Sequence, residues 1–377
     1  MSSSRRPPPG VAIVGVGVTP QGQLPGRSAE DIAAEAFVAA LADADLAKSQ
    51  IDGLITCRSA LGTGVDTAVG RVLGISPAYS ATLDYGTCNF SIHLAAMVIA
   101  AGLAETVALT YGTNARSSRA DFGKPMQDMA AAAGYVHIAG PAAMAMRRHQ
   151  QLYGTTEEQL AHIAVNQRAS AALNPLAIFT EPLTVDDYLA APYLVEPLRR
   201  PDVTMISDGG VALVMTSTER AVQFPHPAVQ LLGTAQTTAF REFREPDHLS
   251  RPWLRDVGQR AFAHAELTPS DIDVLFLQDP TSVWVLQMLE WFGFCGVGEG
   301  GPFVAEGNTR IDGPLPVNTN GGHLSESYMW GWLHVVELVH QLRGTAGARQ
   351  VNGATTAMYG STMAFDKGAV SIFGWRG

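Results

Sequence analysis

A pattern in the first half of the chain returns in the second, and it restricts the fold more than any other feature. Ala36-Phe37 opens a helical stretch that runs on through Leu46-Ala47-Lys48-Ser49-Gln50-Ile51-Asp52-Gly53-Leu54. Ala261-Phe262 opens a like stretch that ends Leu267-Thr268-Pro269-Ser270-Asp271-Ile272-Asp273-Val274-Leu275. Both read as helix, short turn and buried strand, and Pro269 suits the first turn of a short helix. Each copy follows an apolar strand that contains glycine, at 11–18 and at 229–234. A second pair comes after them. Residues 92–101, Gly102 and 106–110 read as helix, glycine stop and strand, and 334–343, Gly344 and 350–356 read the same way. Two like halves of alternating strand and helix imply right-handed crossovers and two mainly parallel sheets, an α/β chain. The join falls near Phe224-Pro225-His226-Pro227, where two prolines break any element. This divides the chain into an N-terminal half, 1–224, with a loop region at about 115–200, and a C-terminal half, 225–377.

The balance of residues removes several classes of function. Apolar residues make up 46% and charged residues 16%, enough apolar surface for a large core. The net charge is −10, and the arginine pairs Arg5-Arg6, Arg147-Arg148 and Arg199-Arg200 make no basic face, so nucleic acid is not an expected partner. The apolar stretch 94–104 is too short to span a membrane. Cys57, Cys88 and Cys295 form no Cys-x-x-Cys pair, and His137, His149 and His162 lack metal-ligand spacing, so no metal or disulfide framework is expected. Without an apolar signal core near Met1, a reduced, cytoplasmic setting fits. Gly15-Val16-Gly17 lacks the third glycine of a dinucleotide fingerprint and reads as a strand-end turn.

The middle and end of the chain carry an ordered series of motifs. Tyr153-Gly154-Thr155-Thr156-Glu157-Glu158 is followed by Ala172-Leu173-Asn174-Pro175-Leu176-Ala177, Pro182-Leu183-Thr184-Val185-Asp186-Asp187 and Ser207-Asp208-Gly209-Gly210. Gly298-Glu299-Gly300-Gly301-Pro302-Phe303 and Leu315-Pro316-Val317-Asn318-Thr319-Asn320-Gly321-Gly322 come later. In this order the series resembles the thiolase superfamily, in particular the sterol-carrier-type thiolases and the lipid-transfer-protein aldolases, over almost the whole chain. The resemblance implies a five-layer αβαβα fold built from two similar halves, which agrees with the repeat. It also implies a homodimer formed through the N-terminal half and a coenzyme A ester as substrate, with no other cofactor. The stretch 115–141 then resembles the loop region that covers the acyl tunnel, and equally suits a surface excursion.

The resemblance also marks positions. A thiolase places a cysteine nucleophile at a strand-to-helix turn, where a helix N-terminus lowers its pKa and N–H groups stabilise an oxyanion. Here that turn is Thr82-Leu83-Asp84-Tyr85-Gly86-Thr87-Cys88-Asn89. Counted back without gaps from Ile99 and Gly102, the nucleophile position falls on Tyr85, and a three-residue gap moves it to Cys88. Cys88 also suits a buried, inert thiol. In the second half Gln278 occupies the position of the residue that helps bind the thioester oxygen, and Asp279 follows it. Gln278 can donate to a carbonyl, and the pair can equally serve to satisfy backbone. After Gly321-Gly322, Tyr328 stands where thiolases carry the histidine base, which is the pattern of the aldolases. An ordinary phenol has a pKa of about 10 and acts as an acid or oriented donor. Tyr328 also suits packing at a helix start. Tyr359-Gly360 stands where thiolases carry a second cysteine. Asn318, His323 and Ser325 complete the expected substrate pocket.

These readings lead to an enzyme of aldol or retro-aldol type acting on a β-hydroxyacyl-CoA without a cysteine nucleophile. The alternatives are an acyltransferase that uses Cys88 and a non-catalytic acyl-CoA-binding or scaffold subunit. Relatives of the tyrosine type often work with a separate OB-fold protein, sometimes carrying a zinc ribbon, and the resemblance implies either such a partner here or a self-sufficient homodimer.

Overall fold

The computed structural model describes residues 10–58, 65–83, 87–120, 139–239, 248–363 and 367–375. In chain order the elements are β1 (Val11–Val18), α1 (Ala29–Ala44), β2 (Gly53–Cys57), α2 (Val65–Leu73), β3 (Tyr79–Leu83), α3 (Cys88–Ala100) and β4 (Thr106–Thr113). Then come α4 (Ala139–Tyr153), α5 (Glu157–Ala171), α6 (Val185–Ala190), β5 (Tyr193–Val195), β6 (Leu198–Arg199), β7 (Gly209–Ser217) and α7 (Thr218–Ala221). The rest comprises β8 (Val229–Thr238), α8 (Leu254–Ala265), β9 (Val274–Leu277), α9 (Ser282–Trp291), α10 (Gly300–Ala305), α11 (Gly322–Ser325), α12 (Trp332–Arg343), β10 (Thr356–Met363) and β11 (Lys367–Gly374).

β1 reads Val-Ala-Ile-Val-Gly-Val-Gly-Val and is buried at every position but the last, as a strand covered on both faces must be. The glycines are inside the strand, so the expected strand-end turn is corrected. A Cβ on Gly17 would stand 2.1 Å from the Ala36 carbonyl oxygen, and one on Gly15 2.5 Å from that of Ala40. Only a bare backbone lets α1 lie this close to the sheet. The second half uses the same device, since a Cβ on Gly233 of β8 would stand 2.5 Å from the Ala261 oxygen of α8.

The repeat extends to single hydrogen bonds. The Asp52 carboxylate accepts from the N–H groups of Glu105 and Thr106, just before β4. The Asp273 carboxylate accepts from those of Thr355 and Thr356, just before β10. α1 and α8 both end on an acidic residue in the left-handed region, Asp45 (φ 52°) and Glu266 (φ 57°). Pro269 is the first residue of a short 3-10 turn, as its fixed φ predicts. The strand expected at 350–356 begins only at Thr356, because Gln350 turns its amide onto Gln341 and Val351.

The sheet order is β3-β2-β4-β7-β1-β8-β11-β10-β9. β2, β3 and β4 run parallel, and β7 is antiparallel to both β4 and β1. In the second half β9 and β10 run parallel, and β11 is antiparallel to both β10 and β8. A parallel bridge from Leu275 to Val317 takes the place that β3 has beside β2. Two paired positions, Ala12 with Gln230 and Ile13 with Val229, join the halves into one nine-stranded sheet. The expectation of two mainly parallel sheets is therefore corrected. β10 and β11 form a hairpin, which needs no crossover helix and so runs antiparallel.

Three apolar cores mark the layers. α1 and α2 cover one outer face through Phe37, Leu41 and Leu73. α8 and α9 cover the other through Val257, Phe262 and Leu286. Between the two halves of the sheet lie α3 and α12, with Ile92, Val98, Val335 and Val339 packed among Val107, Leu213 and Phe276. α12 is buried nearly all round, as a sandwiched helix is, while α3 keeps Met97 exposed. Their N-termini meet, and the Cys88 N–H donates to the Trp330 carbonyl at 3.1 Å. α5, from the segment between β4 and β7, packs on α9, α10 and α11. Among the described residues no helix is long and apolar enough to cross a membrane.

Candidate active site

The site is built where β9 ends. Gln278 is buried; its N–H donates to the Gly360 carbonyl at 2.9 Å and its Oε1 accepts from the Thr362 N–H at 3.1 Å. Both bonds tie it to β10 and fix the plane of its amide. Asp279 is fully buried. Its Oδ1 accepts from the His323 N–H at 3.0 Å and from His334 Nε2 at 2.9 Å, and its Oδ2 accepts from the Leu324 N–H at 3.2 Å. The carboxylate thus anchors the turn that follows Gly321-Gly322.

Those glycines are forced. Both have positive φ, 99° and 64°. A Cβ on Gly321 would stand 2.9 Å from Ala171 Cα, and one on Gly322 2.3 Å from Asp279 Oδ2. The motif therefore marks a close approach of α5 and Asp279 to one turn of backbone.

Hydrogen bonds assign the two histidines. His323 Nε2 accepts from the Gly331 N–H at 2.9 Å, so the proton sits on Nδ1, 3.5 Å from Asp279 Oδ1. That distance is a contact and not a hydrogen bond, and Nδ1 has no hydrogen-bond partner. His334 Nε2 faces the Leu277 carbonyl at 3.1 Å as well as Asp279, so it carries the proton, while Nδ1 faces the Asn320 amide at 3.5 Å. Burial, and then the neighbouring His334, hold the His323 pKa well below the usual range, so the ring is neutral. Asp279, His323 and His334 bring ligand-type atoms within 4.8 Å of one another. The nitrogens that face Asp279 carry protons, however, so the set fits a hydrogen-bonded carboxylate better than a bound metal. The histidine spacings in the sequence hold no sign of this cluster.

The expected residues separate by exposure. Tyr328 packs edge-on against His323, with ring centroids 4.8 Å apart, and stands 5.2 Å from Trp330. It is half-buried. Cys88, Gln278, Asp279, Asn318, His323, Ser325, Tyr359 and Gly360 are all buried. Asn318 (φ 51°) bonds both the N–H and the carbonyl of Leu277 and so extends the strand edge. Ser325 Oγ accepts from Arg168 Nε at 3.0 Å. A Cβ on Gly360 would meet the Phe292 ring at 2.5 Å, a packing constraint. Tyr359 directs its hydroxyl to the Trp330 carbonyl at 3.5 Å; burial first, then Cys88 and Asp279, push its pKa well above the usual phenol range. Cys88 is the first residue of α3, yet burial outweighs the helix terminus, and with Cys57 beside it the thiol lies well above its ordinary pKa. Tyr85 lies outside the described residues, as does most of the expected tunnel-covering stretch at 115–141.

The sequence reading missed four buried residues. His334 bonds Asp279, and Asn320 faces His334. Glu326 accepts from Asn174 at 2.8 Å and from Asn320, and burial lifts its pKa to about 8. Gln167 lies on α5 beside Gly322. Asn320 falls inside the motif at 315–322 without being singled out, and no motif marks the other three, since residue type gives no sign of what a buried polar side chain faces.

The family model described as Thiolase C-terminal domain-like matches residues 235–374. A steroid side-chain-cleaving aldolase of Thermomonospora curvata is 37% identical over 361 residues, which cover 90% of this chain and 92% of that protein. A 17-hydroxy-3-oxo-4-pregnene-20-carboxyl-CoA lyase of Mycobacterium tuberculosis is 35% identical, covering 89% and 92%. Among solved structures, the Ltp2-ChsH2(DUF35) aldolase superposes with a TM-score of 0.89 at 35% identity, covering 97% of this chain and 98% of that one. The five-layer fold and a site between two sheet ends define a thiolase-like enzyme. The chain belongs to the thiolase superfamily, in the branch of the sterol-carrier-type thiolases and lipid-transfer aldolases.

Proposed function

We propose that this enzyme cleaves or forms the carbon–carbon bond of a β-hydroxyacyl-CoA by aldol chemistry, with Tyr328 as its acid–base group and no cysteine nucleophile. One observation carries the reading: of the expected site residues that are described, Tyr328 is the one not buried, so it can reach a substrate. In the cleavage direction Tyr328, as its phenolate, takes the proton of the β-hydroxyl, whose oxygen becomes a ketone oxygen. The bond between α- and β-carbon breaks, its electron pair forms the thioester enolate, and the phenol returns that proton to the α-carbon, which gives a shortened acyl-CoA and restores the phenolate. Atoms balance without free coenzyme A, metal or oxidant. The names of the two relatives, an aldolase and a CoA lyase, point the same way.

The proposal includes assembly. β3 is an edge strand with no buried position along it, and α3 exposes Met97 nearby, which suits pairing with a second copy. The similar aldolase structure contains a second protein, and we extend this to a separate OB-fold or zinc-ribbon subunit here. Cys57, Cys88 and Cys295 form no disulfide, which fits a cytoplasmic setting.

The test is an incubation with 17-hydroxy-3-oxo-4-pregnene-20-carboxyl-CoA, alone and with the DUF35-type protein, with light scattering on both samples. The expected result is a ketosteroid and a shortened acyl-CoA in equal amounts, from a dimer that binds the second protein. Thiolysis of a β-ketoacyl-CoA by free coenzyme A, with no cleavage of the hydroxy ester, would contradict the reaction. A dimer that is fully active alone and ignores the second protein would remove the partner.

A further inference from the structure

Gln167 lies one turn before the end of α5 and is 2% exposed, and neither its Oε1 nor its Nε2 has a hydrogen-bond partner. A primary amide buried in that state loses its water bonds and gains none, which is costly unless the site uses it. What it faces follows from Gly322. The position a Cβ would take there is 2.7 Å from Gln167 Oε1 and 2.3 Å from Asp279 Oδ2, so amide and carboxylate converge on one point. The two ends of a carboxamide have the same shape, and the hydrogen-bond network decides which is nitrogen. Half a turn of the amide puts its N–H, in place of the oxygen, on the side of Gly322 where Asp279 Oδ2 lies, and Oδ2 otherwise accepts the Leu324 N–H.

We propose that Gln167 is a positioning residue: its amide completes the set of donors around Asp279 and thereby holds His323 and the turn that presents Tyr328. The functional part rests on the reading of Tyr328 given above. Other groups at and just past this helix end grip the turn by contacts that do not touch Asp279: Ala171 against Gly321, Arg168 to Ser325, and Asn174 to the Asn320 carbonyl. Gln167 reaches the anchoring carboxylate. A slack anchor misplaces Tyr328 without removing any group that binds coenzyme A. The cost therefore falls on kcat and not on KM.

The test pairs Gln167→Met, which keeps length and volume, with Asp279→Asn in a double-mutant cycle read by urea midpoint, together with kcat and KM of the Met variant. The expected result is a kcat lowered about tenfold at a KM within about twofold, a smaller effect than misplacement at its worst. The midpoint shift caused by Gln167→Met falls to less than half in the Asp279→Asn background. Equal shifts in both backgrounds would overturn the bond, and an unchanged kcat would overturn the positioning role. If Asp279→Asn does not fold, nitrogen-15 spectra decide. Gln167→Met moves the ring signals of His323 and His334, and unmoved signals overturn the bond. The cycle and the spectra need no substrate, so they stand apart from failure of the aldolase reading itself.

Discussion

Tyr328→Phe lowers turnover by more than about a hundredfold, the low end for a general acid–base group, and leaves the chain folded. The two halves of this expectation have separate causes. The ring of Tyr328 packs edge-on against His323 and close to Trp330, and phenylalanine keeps both contacts. The hydroxyl is the reactive part, on the one expected site residue that keeps an exposed surface among those described. Without it, nothing on that turn takes the proton from the β-hydroxyl. Steady-state kinetics with thermal unfolding of the same sample checks both. A rate unchanged in this variant removes Tyr328 from the mechanism.

Gly331→Ala destabilises the protein by about 2–5 kcal/mol, from a left-handed backbone forced on a side chain together with overpacking of a full core. Gly331 has φ 83°, and a Cβ there would stand 1.5 Å from the Tyr359 hydroxyl oxygen. Its N–H also sets the tautomer of His323. Tyr359→Phe removes the oxygen in the way, so the double variant recovers part of the loss, while the share due to backbone strain remains. Urea unfolding of the three variants measures this. A Gly331→Ala protein as stable as the native chain would show that this turn is not packed as described.

What the sequence reveals follows from the range of the forces concerned. The helix, turn and strand repeats are local, so Ala36-Phe37 and Ala261-Phe262 point to α1 and α8, while the αβαβα layering is what the family resemblance implies. The antiparallel strands are not legible. Nothing local in Gly209–Ser217 says that the chain returns to place it between β4 and β1. The site divides in the same way. The glycine motif locates the turn, and Tyr328 is found by its distance from it. The partners of Asp279 lie 44, 45 and 55 residues away, and only the topology brings them together. Asn318 and Gly360 carry the right residue types for a substrate pocket, yet serve a strand edge and a packing contact, which residue type alone cannot reveal.

The central claim is that carbon–carbon cleavage in this thiolase fold proceeds without an acyl-enzyme. Cys88 is buried, and its thiol is held protonated by burial and by Cys57. Intact-protein mass spectrometry on a sample turning over the hydroxyacyl-CoA, with the released acyl-CoA quantified alongside, tests this directly. The account predicts that shortened acyl-CoA accumulates while the protein mass stays unchanged; an added acyl mass mapping to Cys88 would contradict it.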